Sequence, residues 1–175
     1  MAETITIAPL AIGAEDLALG AGPQVLAGAA IAQAPAATRW SLRARDPDVL
    51  AGLIGRALPQ KIGETLHGIA KLGPDEWYAL LPADEALPDG AGLPVCVVDV
   101  SSRAIGIRVE GQGAADIIGA GCPLDIAAIA PGRATRTVFE TVEIVLWRES
   151  ETRFHIEVWR SFAPWLWNAL IASAG

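Results

Sequence analysis

The feature that most constrains the fold is an internal repeat. Two stretches of the 175-residue chain, SLRARDPDVLAGLIGRALP and GIRVEGQGAADIIGAGCPL, have the same layout at an offset of 65 residues. Each begins as a strand, passes through a charged turn into a short helix and leaves through a segment that contains proline; a two-stranded hairpin follows. A repeated supersecondary unit buries its apolar face against its own copy. The sequence therefore predicts an α+β fold of duplicated strand-helix-hairpin units, with helices packed on antiparallel sheets.

The repeat also predicts the domain organisation. The two pseudo-repeats cover about 38–90 and 91–175, which together form one folded domain. Residues 1–37 are rich in Ala, Gly and Pro and contain three acidic residues and no basic one. This composition offers little apolar surface per residue to bury. We expect an extended or partly disordered N-terminal arm over 1–37, either loose or laid on another surface.

Local signals locate the elements within each repeat. Asp46 followed by Pro47 is typical of a helix N-cap with proline at the first helical position, and the helical spacing continues as far as Ala57 before Leu58-Pro59 ends it. The run VCVVDV predicts a buried strand. In the second repeat, strand alternation and helical spacing select the residues that face the core: Ile105, Ile107, Val109, Ala114, Ile117 and Ile118.

Composition excludes several function classes. The formal net charge is −7 and the eleven arginines and two lysines form no cluster, which argues against nucleic acid as a partner. No charged n-region precedes an apolar run, and no uninterrupted apolar stretch reaches the length of about 20 residues that spans a membrane. We expect a cytoplasmic protein that binds no membrane. Cys96 and Cys122 lack metal-ligand spacing and are expected to be two buried thiols.

Candidate catalytic residues are few. The chain contains neither G-x-G-x-x-G after a strand nor a P-loop motif. His67 and His155 both occur in strand-like runs, where a packed or surface role is commoner than ligation. Because neither has carboxylates at matching spacing, no metal site is predicted.

Asp99 is the acidic residue with the most chemical interest, because it closes the VCVVDV run and is expected to be partly buried. It could be a tuned acid or base, but capping the next turn, with Arg103 or Arg108 as a partner, is the favoured interpretation. Ser101 lacks a nucleophile elbow and is expected in the same turn. The sequence thus predicts no catalytic, cofactor-binding or metal-binding residue in this chain.

The segment EVWRSFAPWLWNAL near the C-terminus holds three of the six tryptophans. Helical spacing from about Ala163 to Ala172 predicts one apolar stripe for packing on the sheet, formed by Phe162, Trp165, Leu166, Ala169 and Leu170.

On that spacing, Trp167 and Ile171 fall outside the stripe and form a second apolar face together with Pro164. A helix that is apolar on two sides must be buried on two sides. We therefore predict a partner interface formed by Trp167, Ile171, Pro164 and Arg160, since Trp and Arg often dominate interface energy. The alternative is that the N-terminal arm folds over Trp167.

Several motifs resemble a known family. D-x-S at Asp99 and Ser101, then Asp125 and the PGRA motif, resemble the folate-binding fold of the glycine-cleavage T-protein (aminomethyltransferase) superfamily. The stretches LGPDEWYALLP, GCPLDI and EVWRSFAPWLWNAL together resemble the gamma subunits of heterotetrameric sarcosine oxidases. The resemblance extends from about Arg39 to the C-terminus. The segment after PGRA lacks the acidic loop of folate-dependent relatives, and Arg136 stands where they tend to have an aromatic residue.

The resemblance implies a non-catalytic gamma subunit that assembles or stabilises a complex of alpha, beta, gamma and delta chains. Such a complex oxidises sarcosine to glycine and passes the methyl carbon to tetrahydrofolate. FAD, FMN, NAD and tetrahydrofolate are then expected on the partner subunits, with alpha as the direct contact. Two alternatives remain: the equivalent subunit of a related dehydrogenase, for example for N-methylglutamate, or a stand-alone folate-binding one-carbon transferase-like protein.

Overall fold

A computed structural model describes residues 19–20, 22–90 and 92–175. These residues form two antiparallel sheets and three α-helices. The strands, in chain order, are β1 Gln24–Leu26, β2 Ala29–Gln33, β3 Ala37–Ala44, β4 Thr65–Leu66, β5 Ile69–Gly73, β6 Glu76–Pro82, β7 Val95–Asp99, β8 Ala104–Gly111, β9 Arg133–Phe139, β10 Val142–Arg148 and β11 Arg153–Trp159. The helices are α1 Pro47–Ile54, α2 Ala114–Gly119 and α3 Ala163–Ser173. The predicted α+β class with antiparallel sheets is confirmed.

The strand pairing shows the duplication directly. Sheet A has the order β1-β2-β8-β11-β10-β9, and sheet B has the order β4-β5-β6-β3-β7. Within sheet B, the strand before α1 (β3) pairs with β6, then β5 and β4 follow. Within sheet A, the strand before α2 (β8) pairs with β11, then β10 and β9 follow. The two repeats therefore have the same topology.

The strands that precede each repeat unit are exchanged between the sheets. β2 precedes β3 in the chain but pairs with β8, and β7 precedes β8 but pairs with β3. Residues 24–33, which the sequence analysis assigned to the arm, are thus two strands of sheet A, and Ile31 is fully buried. The boundary at residue 37 is wrong for this part. Alternating small apolar residues in β2 can pair with a strand without a large hydrophobic side chain at every position. The arm prediction for residues 1–18 lies outside the described residues.

The sheets stack face to face with helices on both outer surfaces. Leu50 and Ile54 of α1 pack on sheet B beside Trp77. α2 and α3 pack on the outer face of sheet A, in the larger core cluster. A smaller apolar cluster that includes Val145 and Trp147 lies between the sheets. The six residues predicted to face the core in the second repeat are all buried. None of the helices formed by the described residues is long and apolar enough to span a membrane.

The start of α1 is confirmed and its end is earlier than predicted. The Asp46 side chain accepts a hydrogen bond from the Asp48 backbone N–H at 3.0 Å, and Pro47 occupies the first turn. The helix stops at Ile54 because Gly55 adopts the left-handed conformation, with φ of 66°. Ala57 is therefore outside the helix.

The prediction of a buried VCVVDV strand is wrong. β7 is the edge strand of sheet B, and Cys96, Val98 and Asp99 are exposed. A short apolar run fits an edge strand as well as a central one, so periodicity alone could not separate the two. Of the two thiols, only Cys122 is buried. The Asp99 side chain accepts a hydrogen bond from the Ser101 backbone N–H at 2.8 Å, which confirms the turn-capping role without the burial.

Candidate functional site: an inter-sheet cleft and its aromatic rim

Two polar side chains at equivalent positions of the repeat meet between the sheets. Ser41 and Gly106 correspond at the offset of 65 residues. Ser41 pairs with Tyr78 across sheet B, and Gly106 pairs with Glu157 across sheet A. Tyr78 Oη donates a hydrogen bond to Glu157 Oε2 at 3.1 Å. Tyr78 lies on β6 and Glu157 on β11, so this contact joins equivalent strands of the two repeats.

Glu157 is the centre of a buried charge cluster, formed by Arg39, Tyr78, His155 and Glu157. Arg39 donates from Nε to Oε2 at 2.5 Å and from its second terminal nitrogen to Oε1 at 3.0 Å, a bidentate pair. His155 Nε2 lies 2.6 Å from Oε1. Glu157 is only 3% exposed. Each carboxylate oxygen therefore has two polar contacts within the protein.

The cluster keeps Glu157 ionised. Burial opposes its charge, but the hydrogen bonds and charge interactions with His155 and Arg39 outweigh this, so the pKa of Glu157 is lowered from its ordinary value. Burial, followed by the negative charge of Glu157, raises the pKa of Tyr78 well above its usual range. The phenol therefore stays protonated and remains a hydrogen-bond donor.

Gly106 makes room for this arrangement. A Cβ at this position would lie 2.7 Å from His155 Cε1, 2.8 Å from the Ala34 side chain and 2.9 Å from Glu157 Oε1. Any larger residue would displace His155 or Glu157. Gly106 in the AIGIRVEG strand is thus required by close packing.

A cleft of about 210 Å³ opens between the sheets beside the cluster. Ligand pockets in proteins usually measure about 300–1,000 Å³, so this cleft is small. It is lined by polar and charged residues from both sheets and by Trp159, namely Ser41, Glu76, Tyr78, Arg103, Arg136, Glu143, Glu157 and Trp159, together with Val100, Ala104, Ile144, Val145 and Val158.

The charges in the lining are mostly paired. Arg136 makes two hydrogen bonds to the Glu76 carboxylate, at 2.5 and 3.1 Å, and lies 3.8 Å from Glu143. The Arg136 hydrogen bond is the main reason that the pKa of Glu76 is lowered. Arg103 differs: its guanidinium lies over the Trp159 ring, 4.5 Å from the centroid. Arg136, which stands where folate-dependent relatives tend to have an aromatic residue, thus forms an ion pair with Glu76.

Beside the cleft, three large aromatic side chains are exposed. Trp159, Phe162 and Trp165 are 48%, 50% and 40% exposed. They recur every third residue, from the end of β11 through a 3₁₀ turn (Arg160–Phe162) into the first turn of α3. Residues at this spacing lie on one side of a 3₁₀ turn or helix. We call Trp159, Phe162 and Trp165 the aromatic strip.

The predicted faces of the C-terminal helix are partly wrong: Leu166 and Leu170 are buried as predicted, but Phe162 and Trp165 are exposed. Its buried residues are Ala163, Leu166, Trp167 and Leu170. Trp167 is 5% exposed and belongs to the same core cluster as Leu19. A Cβ on Gly20 would lie 2.9 Å from the Trp167 ring, which shows how closely this segment covers it. The alternative, in which the N-terminal segment folds over Trp167, is therefore the correct one.

The other predicted interface residues have mixed exposure. Pro164 is exposed, whereas Arg160 and Ile171 are half-buried. Whether these residues contact a partner stays a prediction. Trp165 and Phe162, which were assigned to the core, are the aromatic side chains on the accessible side.

The two histidines have different surroundings. His67 is exposed in the β4–β5 turn with φ of 49°, and His155 is packed in the charge cluster. Among residues 19–20, 22–90 and 92–175, no group of three His, Cys, Asp or Glu side chains is arranged to hold a metal ion.

The charge cluster was missed by sequence reasoning, although a signal existed. In RFHIEVW, His155 and Glu157 are two residues apart and so share one face of a strand. Because the neighbouring strand positions are apolar, a buried polar pair needing a cation could have been predicted. Arg39, 118 residues away, could not have been selected as that cation.

Comparisons with known proteins agree with the fold and motifs. No protein-family model matches the chain. The sarcosine oxidase subunit gamma of Corynebacterium sp. (strain U-96) is 30% identical over 137 residues, covering 69% of this chain and 67% of that protein. A chain of the heterotetrameric sarcosine oxidase structure from Corynebacterium sp. U-96 matches with a TM-score of 0.74 and 26% identity over 87% of this chain and 88% of that one.

A more distant structure shows the fold alone. The glycine cleavage system aminomethyltransferase T from Bartonella henselae matches with a TM-score of 0.64 and 17% identity, covering 83% of this chain and 46% of that one. The aminomethyltransferase-like fold is therefore confirmed. With the identity and coverage of the Corynebacterium gamma chain, these findings show that the protein belongs to the family of sarcosine oxidase gamma subunits.

Proposed function

We propose that this chain is the structural gamma subunit of a heterotetrameric sarcosine oxidase and contributes no catalytic site of its own. Its partners are the alpha, beta and delta subunits, with alpha in direct contact. The complex oxidises sarcosine to glycine and passes the methyl carbon to tetrahydrofolate. FAD, FMN, NAD and tetrahydrofolate are bound by the partner subunits. Sarcosine is favoured over N-methylglutamate because the gamma subunit and the solved structure that this chain resembles, both from Corynebacterium sp. U-96, belong to a sarcosine oxidase.

The observation that carries the proposal is the aromatic strip. Large aromatic side chains are rarely left exposed together in a monomeric protein, and tryptophan is enriched among residues that dominate binding energy. In the part of the chain that the structure describes, the three exposed large aromatic side chains all lie within seven residues of one segment. In a member of a subunit family, this surface is the best candidate for the contact with another subunit.

The cleft supports a structural rather than a catalytic role. At about 210 Å³ it is smaller than the usual ligand pocket, which favours a structural role over binding of a folate or a flavin. Its most buried carboxylate, Glu157, already contacts Arg39, Tyr78 and His155. A general base must have a free position within hydrogen-bond reach of its substrate.

The test is co-expression of the chain with the three other oxidase subunits of the same organism, followed by affinity purification through a tag on alpha. The triple variant Trp159→Ser, Phe162→Ser and Trp165→Ser should be lost from the complex. A control variant with Val25→Ser, Ile62→Ser and Leu124→Ser removes three exposed hydrophobic side chains elsewhere and should co-purify normally. Failure of the unaltered chain to co-purify with any oxidase subunit would refute the proposed function.

A further inference from the structure

We propose that the mouth of the inter-sheet cleft receives a carboxylate side chain of the partner subunit, bound by the guanidinium of Arg103. The inference rests on the proposed function and deepens it, because it states the chemistry of the group that docks beside the aromatic strip.

Arg103 is the unmatched charge of this lining. Each of the three carboxylates in the lining has an arginine partner: Glu157 has Arg39, and Glu76 and Glu143 share Arg136. Among the described residues, the guanidinium of Arg103 makes no hydrogen bond or ion pair, and it lies over the Trp159 ring. Its donors are therefore available to an incoming anion.

The position of Arg103 is held by its surroundings. The Arg103 backbone N–H donates to Val100 O at 2.9 Å, and its carbonyl accepts from the Arg160 N–H at 2.8 Å. The first bond closes the turn before β8, and the second ties that turn to the end of β11. Stacking on Trp159 orients the planar guanidinium, so less conformational entropy is lost when a carboxylate binds.

The neighbouring surface defines the rest of the occupant. Trp159 lines the cleft and is also the first member of the aromatic strip, so the cation and the apolar strip are continuous. A free small carboxylate would use the cation and leave Phe162 and Trp165 uncovered. A protein segment with an aspartate or glutamate next to apolar residues would cover both. Charge complementarity therefore selects an acidic, apolar-flanked segment of the partner subunit.

The experiment measures the affinity of the intact chain for the purified alpha subunit by biolayer interferometry at two salt concentrations. Arg103→Met keeps the length and apolar stem of the side chain, and Arg103→Glu reverses the charge. The matched control is Arg45→Glu, which makes the same charge change at an exposed position outside the cleft lining. Thermal melting of each variant verifies that the fold is retained.

We expect Arg103→Met to weaken binding about tenfold and Arg103→Glu about a hundredfold, since close charge pairs at interfaces are among the strongest single contacts. The salt dependence should be shallower for Arg103→Met than for the unaltered chain, and Arg45→Glu should bind normally. Unchanged binding of Arg103→Glu, or equal weakening by Arg45→Glu, would overturn the inference while leaving the assembly role intact. Absence of binding by the unaltered chain would overturn the inference and the direct contact with alpha; the assembly role itself is refuted only if the chain co-purifies with no oxidase subunit.

Discussion

The two sides of the C-terminal segment divide its aromatic residues between folding and recognition. On one side, Ala163, Leu166, Trp167 and Leu170 follow the spacing i, i+3, i+4, i+7 and are buried against sheet A. On the other, the aromatic strip holds three side chains of the same chemical type that remain 40% to 50% exposed. Hydrophobicity alone therefore does not tell which tryptophan stabilises the fold; its position relative to the sheet does.

The largest effect is expected on the buried side. Trp167→Ala removes a large side chain from a closed core, and such truncations cost about 3–5 kcal/mol in free energy of unfolding. Trp165→Ala, two residues away, should change that free energy by less than about 0.5 kcal/mol because the side chain is partly solvated. Urea unfolding of both variants measures the difference. Equal destabilisation would remove the distinction between the two sides.

A second comparison sets a buried ion pair against an exposed one. Glu157→Gln leaves the buried Arg39 cation without its counter-charge, and breaking a buried pair in this way costs about 3–5 kcal/mol. The control is Glu143→Gln, because Glu143 is more than half exposed and lies 3.8 Å from Arg136, so it should cost at most about 1 kcal/mol. A smaller loss for Glu157→Gln than for Glu143→Gln in the same urea assay would contradict the role of the cluster.

On the exposed side, the expected effect is on binding. Trp165→Ser should weaken the affinity for the alpha subunit by about 2 kcal/mol, the level typical of an interface hot spot, with no loss of folding stability. Isothermal titration calorimetry measures this, with Leu124→Ser as the control for an exposed apolar residue elsewhere. If Leu124→Ser weakens binding and Trp165→Ser does not, the aromatic strip is not the surface that contacts the alpha subunit.

The smallest expected effect is a pH dependence of stability. The pKa of Glu157 is lower in the folded protein than its ordinary value, so its stabilising contribution is fully present above the unfolded-state pKa of about 4.3. It is lost as the pH falls through the lower, folded-state pKa. The difference in free energy of unfolding between the unaltered chain and Glu157→Gln should therefore narrow as the pH falls below the unfolded-state pKa. Urea unfolding from pH 7 to pH 3 measures this difference. A difference that widens on acidification would contradict the lowered pKa.

Local sequence signals predicted the repeat units well. The charged turn, the Asp46 N-cap and the alternation in AIGIRVEG all depend on neighbours within a few residues, and the structure confirms them. The 65-residue offset also predicted the duplication, which appears in the equivalent strand orders of the two sheets.

Features that depend on distant partners were not predictable in the same way. The exchange of β2 and β7 between the sheets follows from strand pairing, which no local pattern records. The buried face of the C-terminal helix was only partly predicted. Its buried stripe begins at the small Ala163, whereas the predicted stripe through Phe162 and Trp165 contains larger side chains. Segment Leu19–Gly20, which covers Trp167, comes from the opposite end of the chain.

Hydroxyl-radical footprinting of the free chain and of the assembled oxidase complex tests the central claim most directly. Solvent-exposed aromatic side chains are oxidised, and mass spectrometry reports each one separately. We predict that Trp159, Phe162 and Trp165 are oxidised in the free chain and protected in the complex, whereas Trp77 and Trp167 are protected in both. Oxidation of the strip that is unchanged by assembly would contradict the account.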